Sequence, residues 1–243
     1  MRVFDHVGIR VSDRAESERF YTTVLATLGI EKDYSAEALV EWEDFAVSQT
    51  APDRPLTQGL HLGFVAPSRE HVDAFHRVGV EAGYRDDGAP GPRPQYREDY
   101  YGSFLLDPDG NSAEAVHHGN LRQGGWIDHL WLRTKDVAAT RRFYEAIAPV
   151  LGFEIRMHGD DHVQIIGDTG SFSYVTGTPS RHVHIAFPAA ENGVVEAFYR
   201  AATEAGYRDN GAPGERGEYH PGYYGGFVLD PDGHNVEVVN HNR

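Results

Sequence analysis

Apolar and polar positions alternate over residues 3–11. Val3, Asp5, Val7, Ile9 and Val11 fall on one face of a strand, with Phe4, His6, Gly8 and Arg10 on the other. The period then changes to that of a helix. Ser12 or Asp13 can cap it, Glu16 is placed to complete a capping box, and Phe20, Tyr21, Val24, Leu25 and Leu28 form its apolar stripe up to Gly29. Short alternating runs over residues 38–42 and 45–48 predict two strands. Residues 59–65 predict another, with His61 opposite Leu60, Leu62 and Phe64, and residues 68–82 predict a second helix with Val72 and Phe75 inward. The glycine- and proline-rich residues 88–94 read as loop. Asp107-Pro-Asp-Gly110 then makes a tight turn into a strand that carries Glu114 among apolar neighbours. Strand, helix, then several strands describes both residues 3–50 and residues 59–117.

The whole pattern recurs 123 residues later. Asp5-His6 returns as Asp128-His129, Phe20-Tyr21 as Phe143-Tyr144, His61 as His184, Tyr100-Tyr101-Gly102 as Tyr223-Tyr224-Gly225, and Glu114 as Glu237. Between residues 83–114 and 206–237, 20 of 32 positions are identical, against about two expected by chance. The chain is therefore read as a tandem duplication, residues 1–120 and 121–243, joined by a linker at 119–125. The copies differ at two places that bear on structure and chemistry. Pro149 replaces Ala26 and is expected to end or kink the second copy's first helix a turn early. Arg97-Glu98-Asp99 becomes His220-Pro221-Gly222.

A formal net charge of −15, spread along the 243 residues, disfavours nucleic acid and anionic membranes as partners. The absence of cysteine removes disulfide and thiolate chemistry. With no signal-peptide pattern and no apolar run of spanning length, a cytoplasmic location is expected.

Three residue pairs carry the candidate chemistry: His6/His129, His61/His184 and Glu114/Glu237. A glutamate on an apolar strand is costly to bury unless a positive group meets it. Two imidazoles and one carboxylate on rigid strands make a facial triad for a divalent metal ion, with about three coordination positions left open. Of fourteen histidines, only 6/129, 61/184 and 118/241 recur at the 123 spacing. His118 and His241 lie four residues beyond each glutamate, about 13 Å along the strand, and are given a structural or substrate-contacting role. Tyr101 and Tyr224 are candidates to donate a phenolic hydrogen bond into the cleft, and His220 is a candidate acid or base in the second copy.

Taken together, Asp5-His6, Phe20-Tyr21, Leu28-Gly29, His61-Leu-Gly-Phe64 and Asp107-Pro-Asp-Gly…Glu114 resemble the vicinal oxygen chelate superfamily of glyoxalases, extradiol dioxygenases, fosfomycin-resistance transferases and bleomycin-binding proteins. The resemblance spans nearly the whole chain, twice. It implies an α+β fold in which each copy is a pair of βαβββ modules, with curved mixed sheets forming clefts. It places metal ligands at His6, His61, Glu114, His129, His184 and Glu237, for Fe2+, Mn2+, Zn2+, Ni2+ or Co2+. A small molecule bound through vicinal oxygens is the implied substrate, and the two halves are expected to form an internal pseudo-dimer, with a homodimer as a further assembly.

No single subfamily fits. Glyoxalase I usually has glutamate where His61 and His184 stand. Extradiol dioxygenases share the two-histidine triad, but Phe104 and Phe227 replace their active-site tyrosine. Extradiol-type chemistry is favoured over a glyoxalase-like lyase, isomerase or transferase, and the rival class is a metal-free binding protein. Each triad can be completed within one copy or exchanged between copies. The unexchanged sets are expected here.

Overall fold

In the computed structural model, residues 3–122 and 124–243 are described; position 123, within the expected linker, lies outside them. The first repeat runs β1 (His6–Val11), α1 (Arg14–Leu25), β2 (Tyr34–Ser35), β3 (Leu39–Trp42), β4 (Phe45–Gln49), β5 (His61–Val65), α2 (Arg69–Glu81), β6 (Arg85–Pro92), β7 (Tyr101–Leu106) and β8 (Ser112–His117). The second runs β9 (Ile127–Thr134), α3 (Val137–Leu151), β10 (Glu154–Met157), β11 (His162–Gly167), β12 (Gly170–Thr176), β13 (His184–Pro188), α4 (Asn192–Glu204), β14 (Arg208–Glu215), β15 (Tyr224–Leu229) and β16 (Asn235–Asn240). Each repeat is thus two βαβββ modules, as the order of periodicities predicts. None of the helices among the described residues is long and apolar enough to cross a membrane.

The compact units are not the two repeats. One comprises Gly8–Trp131, and the other the residues up to Val7 together with Leu132–Arg243. In the unit Gly8–Trp131, the strands run β6-β7-β8-β5 and then the first part of β9. β5 lies parallel to β8, with Gly63 opposite Glu114, and antiparallel to β9, with Gly63 opposite His129. The other unit has β14-β15-β16-β13 and then the start of β1. There β13 is parallel to β16 and Ala186 faces Glu237.

Local chemistry explains the elements. Asp13 caps α1 by accepting the Glu16 N–H at 2.9 Å, and Gly29, at φ 78°, stops the chain after one further 3-10 turn. Phe20, Tyr21, Phe45, Phe64 and Phe75 are fully or almost fully buried, as are Phe143, Tyr144, Phe172, Phe187 and Phe198 in the other unit. These rings are the main apolar payload of each core. The Asp-Pro-Asp-Gly turn forms as expected. Gly110 N–H donates to the Asp107 carbonyl at 3.0 Å, the Asp107 carboxylate accepts the Asn111 N–H at 2.8 Å, and the Tyr21 hydroxyl anchors it at 3.0 Å.

Two expectations are corrected. Residues 88–92 are not loop but part of β6, which pairs with β7 through register shifts at Asp86/Gly88 and Gly88/Gly91. Prolines are accommodated there because β6 is at the sheet edge, where a missing N–H breaks no ladder. Pro149 does not end α3 early: the helix continues to Leu151 and stops at Gly152, φ 71°. Pro149 sits in the last turn on the exposed side of the helix, as does Glu145 one turn before it, where loss of one backbone bond costs least.

Candidate metal centres

In the unit Gly8–Trp131, His61 and Glu114 project from the parallel pair β5/β8, and His129 reaches over Gly63 from β9. The His61 Nε2 lies 2.9 Å from Glu114 Oε2 and 3.3 Å from His129 Nε2, and His129 Nε2 is 3.3 Å from Glu114 Oε2. The other unit repeats the arrangement with His6, His184 and Glu237. The imidazole Nε2 atoms are 3.0 Å apart, and Glu237 Oε2 is 3.0 Å from His184 and 3.7 Å from His6. In each set the three donor atoms fall within 4.8 Å of one another. Both triads are therefore the exchanged sets, and the expected unexchanged grouping is not the one formed. The reason lies in strand order: β9, not β1, pairs with β5.

The groups behind the ligands fix which atoms face inward. The Ser112 hydroxyl gives its hydrogen to Asp87 at 2.7 Å, so it accepts from His61 Nδ1 at 3.1 Å. His61 keeps a proton on Nδ1, so the nitrogen it can offer a metal is Nε2, once the proton that Nε2 shares with Glu114 is displaced. His129 Nδ1 donates to Asp128 at 2.9 Å and His6 Nδ1 to Asp5 at 2.8 Å, with the same consequence. Each glutamate is 1% exposed. Its Oε1 accepts a tyrosine hydroxyl, from Tyr100 at 2.8 Å or Tyr223 at 2.6 Å, which leaves Oε2 as the single inward oxygen.

Without a metal, these groups hold one another by protons. Burial opposes ionisation of Glu114, but the hydrogen bonds from His129 and His61 outweigh it and pull its carboxyl down to about 2. Burial likewise disfavours charge on His129, yet Asp128 and Glu114 accept its two N–H groups and raise it to about 10. Asp128 and Asp5 are held well below the usual carboxylate range against their burial, Asp128 by His118 and His129 and Asp5 by His241 and His6.

This donor set fits a divalent ion. Two imidazoles and a one-oxygen carboxylate converge in each set, and His61, His129 and His6 are oriented by an acceptor at Nδ1. His184 Nδ1 instead accepts from the Asn235 side-chain amide at 2.6 Å, so its proton sits on Nε2 and is the one a metal would displace. The space is also reserved: a Cβ on Gly63 would stand 2.6 Å from His129 Nδ1 and 2.9 Å from Nε2, and one on Gly102 would strike Glu114 Oε1.

The remaining sequence candidates lie elsewhere. The Tyr101 hydroxyl donates to Asp73 at 2.8 Å and that of Tyr224 to Glu196 at 3.1 Å, so neither phenol is aimed at a triad. Their neighbours Tyr100 and Tyr223 are the ones that reach the glutamates. The missed signal is parity. Phe104 pairs with Glu114 across β7/β8, so both share a face, and Tyr100 is an even number of residues from Phe104 where Tyr101 is odd. His118 contacts Asp128 at 3.4 Å and His241 contacts Asp5 at 3.0 Å, both behind the ligands. His220 touches neither triad directly. It lies 2.8 Å from His241.

The model of the Glyoxalase/Bleomycin resistance protein/Dioxygenase superfamily matches residues 3–115 and again 126–238. The chain belongs to this superfamily. No curated protein matches the sequence. Among solved structures, the superfamily fold is shared with glyoxalase I from Zea mays, at 19% identity over 98% of this chain and 92% of that one, TM-score 0.66. It is shared also with a candidate dioxygenase from Bacillus subtilis, at 14% identity over 99% of this chain and 85% of that one, TM-score 0.65.

Proposed function

We propose that this superfamily member is a divalent-metal-dependent enzyme with one centre in each unit, acting on a small substrate that binds through two adjacent oxygens. Extradiol-type dioxygenase chemistry is the favoured reaction. The observation that carries the reading is the pair of two-histidine, one-glutamate triads whose glutamates are each tied at Oε1 by a buried tyrosine. A binding protein without metal has no use for two buried carboxylates facing paired imidazoles, because their desolvation is unfavourable and adds nothing to sequestration.

His61, His129 and Glu114 would hold one ion, and His6, His184 and Glu237 the other. Bound there, the ion supplies Lewis-acid polarisation of the substrate oxygens and, for iron, an O2-binding position. The chain's own residues do the rest. Asp128 and Asp5 keep His129 and His6 in the tautomer that leaves Nε2 bare. Tyr100 and Tyr223 restrict each glutamate to one inward oxygen, so positions for two substrate oxygens stay open. The rings of Phe104 and Phe227 lie 5.7 Å and 6.4 Å from His61 and His184, with the guanidinium groups of Arg93 and Arg216 over them at 5.3 Å and 5.5 Å. Each centre is thus bordered by an aromatic ring backed by a cation.

The test is anaerobic purification without chelator, elemental analysis, then oxygen uptake with a panel of catechols beside isomerisation of hemithioacetals. One O2 consumed per catechol, with ring cleavage, supports the reading. Isomerase activity without O2 uptake would replace the favoured reaction. Protein that takes up no divalent metal would end the metal-enzyme reading altogether.

A further inference from the structure

Behind the two triads, the hydrogen-bond chains are not alike, and their proton counts differ. In the unit Gly8–Trp131, the Asn120 N–H donates to His118 Nδ1 at 3.2 Å, so that nitrogen is an acceptor. His118 is then a neutral imidazole that gives its one N–H, on Nε2, to Asp128. The chain from His129 ends there, with one negative charge on Asp128. Nearby cations are already matched: Arg122 pairs with Asp44 at 3.1 Å, and Arg97 with Asp99 at 2.7 Å.

In the other unit, Arg97 is replaced by His220 and the count changes. The Pro221 carbonyl can only accept, so His220 Nδ1 carries a proton, at 2.8 Å. The carboxylate of Asp5, which already accepts from His6, lies 3.0 Å from His241 Nε2, so that nitrogen carries a proton too. Between the rings, His220 Nε2 and His241 Nδ1 are 2.8 Å apart, a distance that requires one proton between them. That makes three protons on two imidazoles, where a neutral pair holds two. The rings stack at 5.1 Å, the Tyr223 ring stands edge-on to His241 at 5.3 Å, and among the described residues Asp5 is the carboxylate that meets this pair. The pair carries one positive charge, which offsets Asp5.

Resting on the metal-centre reading above, we infer that the two centres are unequal: the His61–Glu114–His129 centre binds divalent metal more tightly than the His6–His184–Glu237 centre, which the His220–His241 pair weakens. A divalent ion feels this charge twice as strongly as the single proton it displaces from a ligand, so the difference survives the competition with protons. His220 is a positioning residue that acts through His241 and Asp5.

The experiment is Mn2+ titration of the chelator-stripped full chain at low ionic strength, following free Mn2+ by its magnetic resonance signal. Two classes of site at least about tenfold apart are expected, the range of outer-group effects on metal affinity. Glu114→Gln should remove the tight class and Glu237→Gln the weak one. His220→Ala leaves His241 neutral and should tighten the weak class by about tenfold. His220→Lys restores a cation at the same place and should keep that class weak, which a merely structural role would not predict. Equal affinities, the opposite assignment, or a weak class unmoved by His220→Ala would overturn the inference while leaving the metal reading intact. No Mn2+ uptake at either site would overturn both.

Discussion

Gly63 is the position at which the smallest change should do most to one centre. It lies in register with both Glu114 and His129, and the His129 imidazole occupies the volume a side chain would need. In Gly63→Ala the new methyl would stand 2.6 Å from Nδ1, where ordinary contact begins at 3.4 Å. Cε1 of the ring is nearer still, so the ring must withdraw by at least about 0.8 Å, against a tolerance of about 0.2 Å in metal–ligand distance. Withdrawal is resisted from behind, because Nδ1 is held by Asp128 at 2.9 Å and Asp128 by His118. Overpacking of this kind costs about 1–3 kcal/mol, which corresponds to roughly a ten- to hundredfold loss of affinity at that centre.

The other unit offers a control. Ala186 stands where Gly63 does, and there the first histidine is placed differently: His6 Nε2 lies 3.7 Å from Glu237 Oε2 and 3.0 Å from His184 Nε2, where His129 Nε2 is 3.3 Å from both Glu114 Oε2 and His61 Nε2. Gly63→Ala should therefore lower the affinity of the tighter site and leave the other unchanged. Metal titration of the variant, with circular dichroism to establish folding, measures it. A folded variant with both affinities intact would refute the argument that the space beside Gly63 sets the position of His129.

Glu237→Ala should remove one metal equivalent of two, read by elemental analysis, and unchanged stoichiometry would exclude Glu237 as a ligand. Tyr100→Phe leaves Glu114 Oε1 buried without its donor and should cost about 1–3 kcal/mol of metal-free stability, read from the denaturant midpoint. An unshifted midpoint would mean the bond contributes nothing. For pH, His129 is raised to about 10, so its stabilisation of the metal-free protein is complete below its ordinary value of 6.5 and is lost as pH rises through 10. Glu114 is lowered to about 2, so its contribution is present above its ordinary 4.5 and is lost as pH falls towards 2. Because metal must displace the His129 proton, affinity at the Glu114 centre should climb about tenfold per pH unit between 7 and 9. A flat profile there would count against coordination by His129.

Much of this was legible in residue patterns. Strand alternation placed His6, His61 and Glu114 on strands, and Asp13 caps α1 as read, although α1 ends at Leu25 and Leu28 lies in a 3-10 turn. What stayed hidden depended on partners distant in sequence. Residues 88–94 look like loop, although 88–92 belong to β6, because local composition cannot express that an edge strand tolerates proline and bulges. Pro149 looks like a helix breaker because its cost depends on where in the helix it falls, and here it falls in the last turn on the exposed side. Tyr101 was chosen over Tyr100 because both stand beside a strand start, and only the pairing of Phe104 with Glu114 says which of the two faces the carboxylate.

The grouping of the ligands was beyond the sequence for a different reason. Swapping the members of every pair 123 residues apart turns each exchanged set into the other, just as it turns each unexchanged set into the other. Identity and spacing are therefore blind to the choice. What decides it is which of two near-equivalent alternating strands, both carrying Asp-His, adds beside β5, and β9 does so through Leu62–Leu130 and Gly63–His129. Each centre thus takes one histidine from one repeat and a histidine and glutamate from the other. The same exchange puts Asp5, from the first repeat, against His241 of the second. Divergence at His220 therefore reaches a ligand, His6, that lies 214 positions away in the chain and belongs to the other copy. A substitution in either repeat has to be read against the centre it joins in space, and the two copies, though duplicated, are free to acquire different metal affinities through residues that touch no metal.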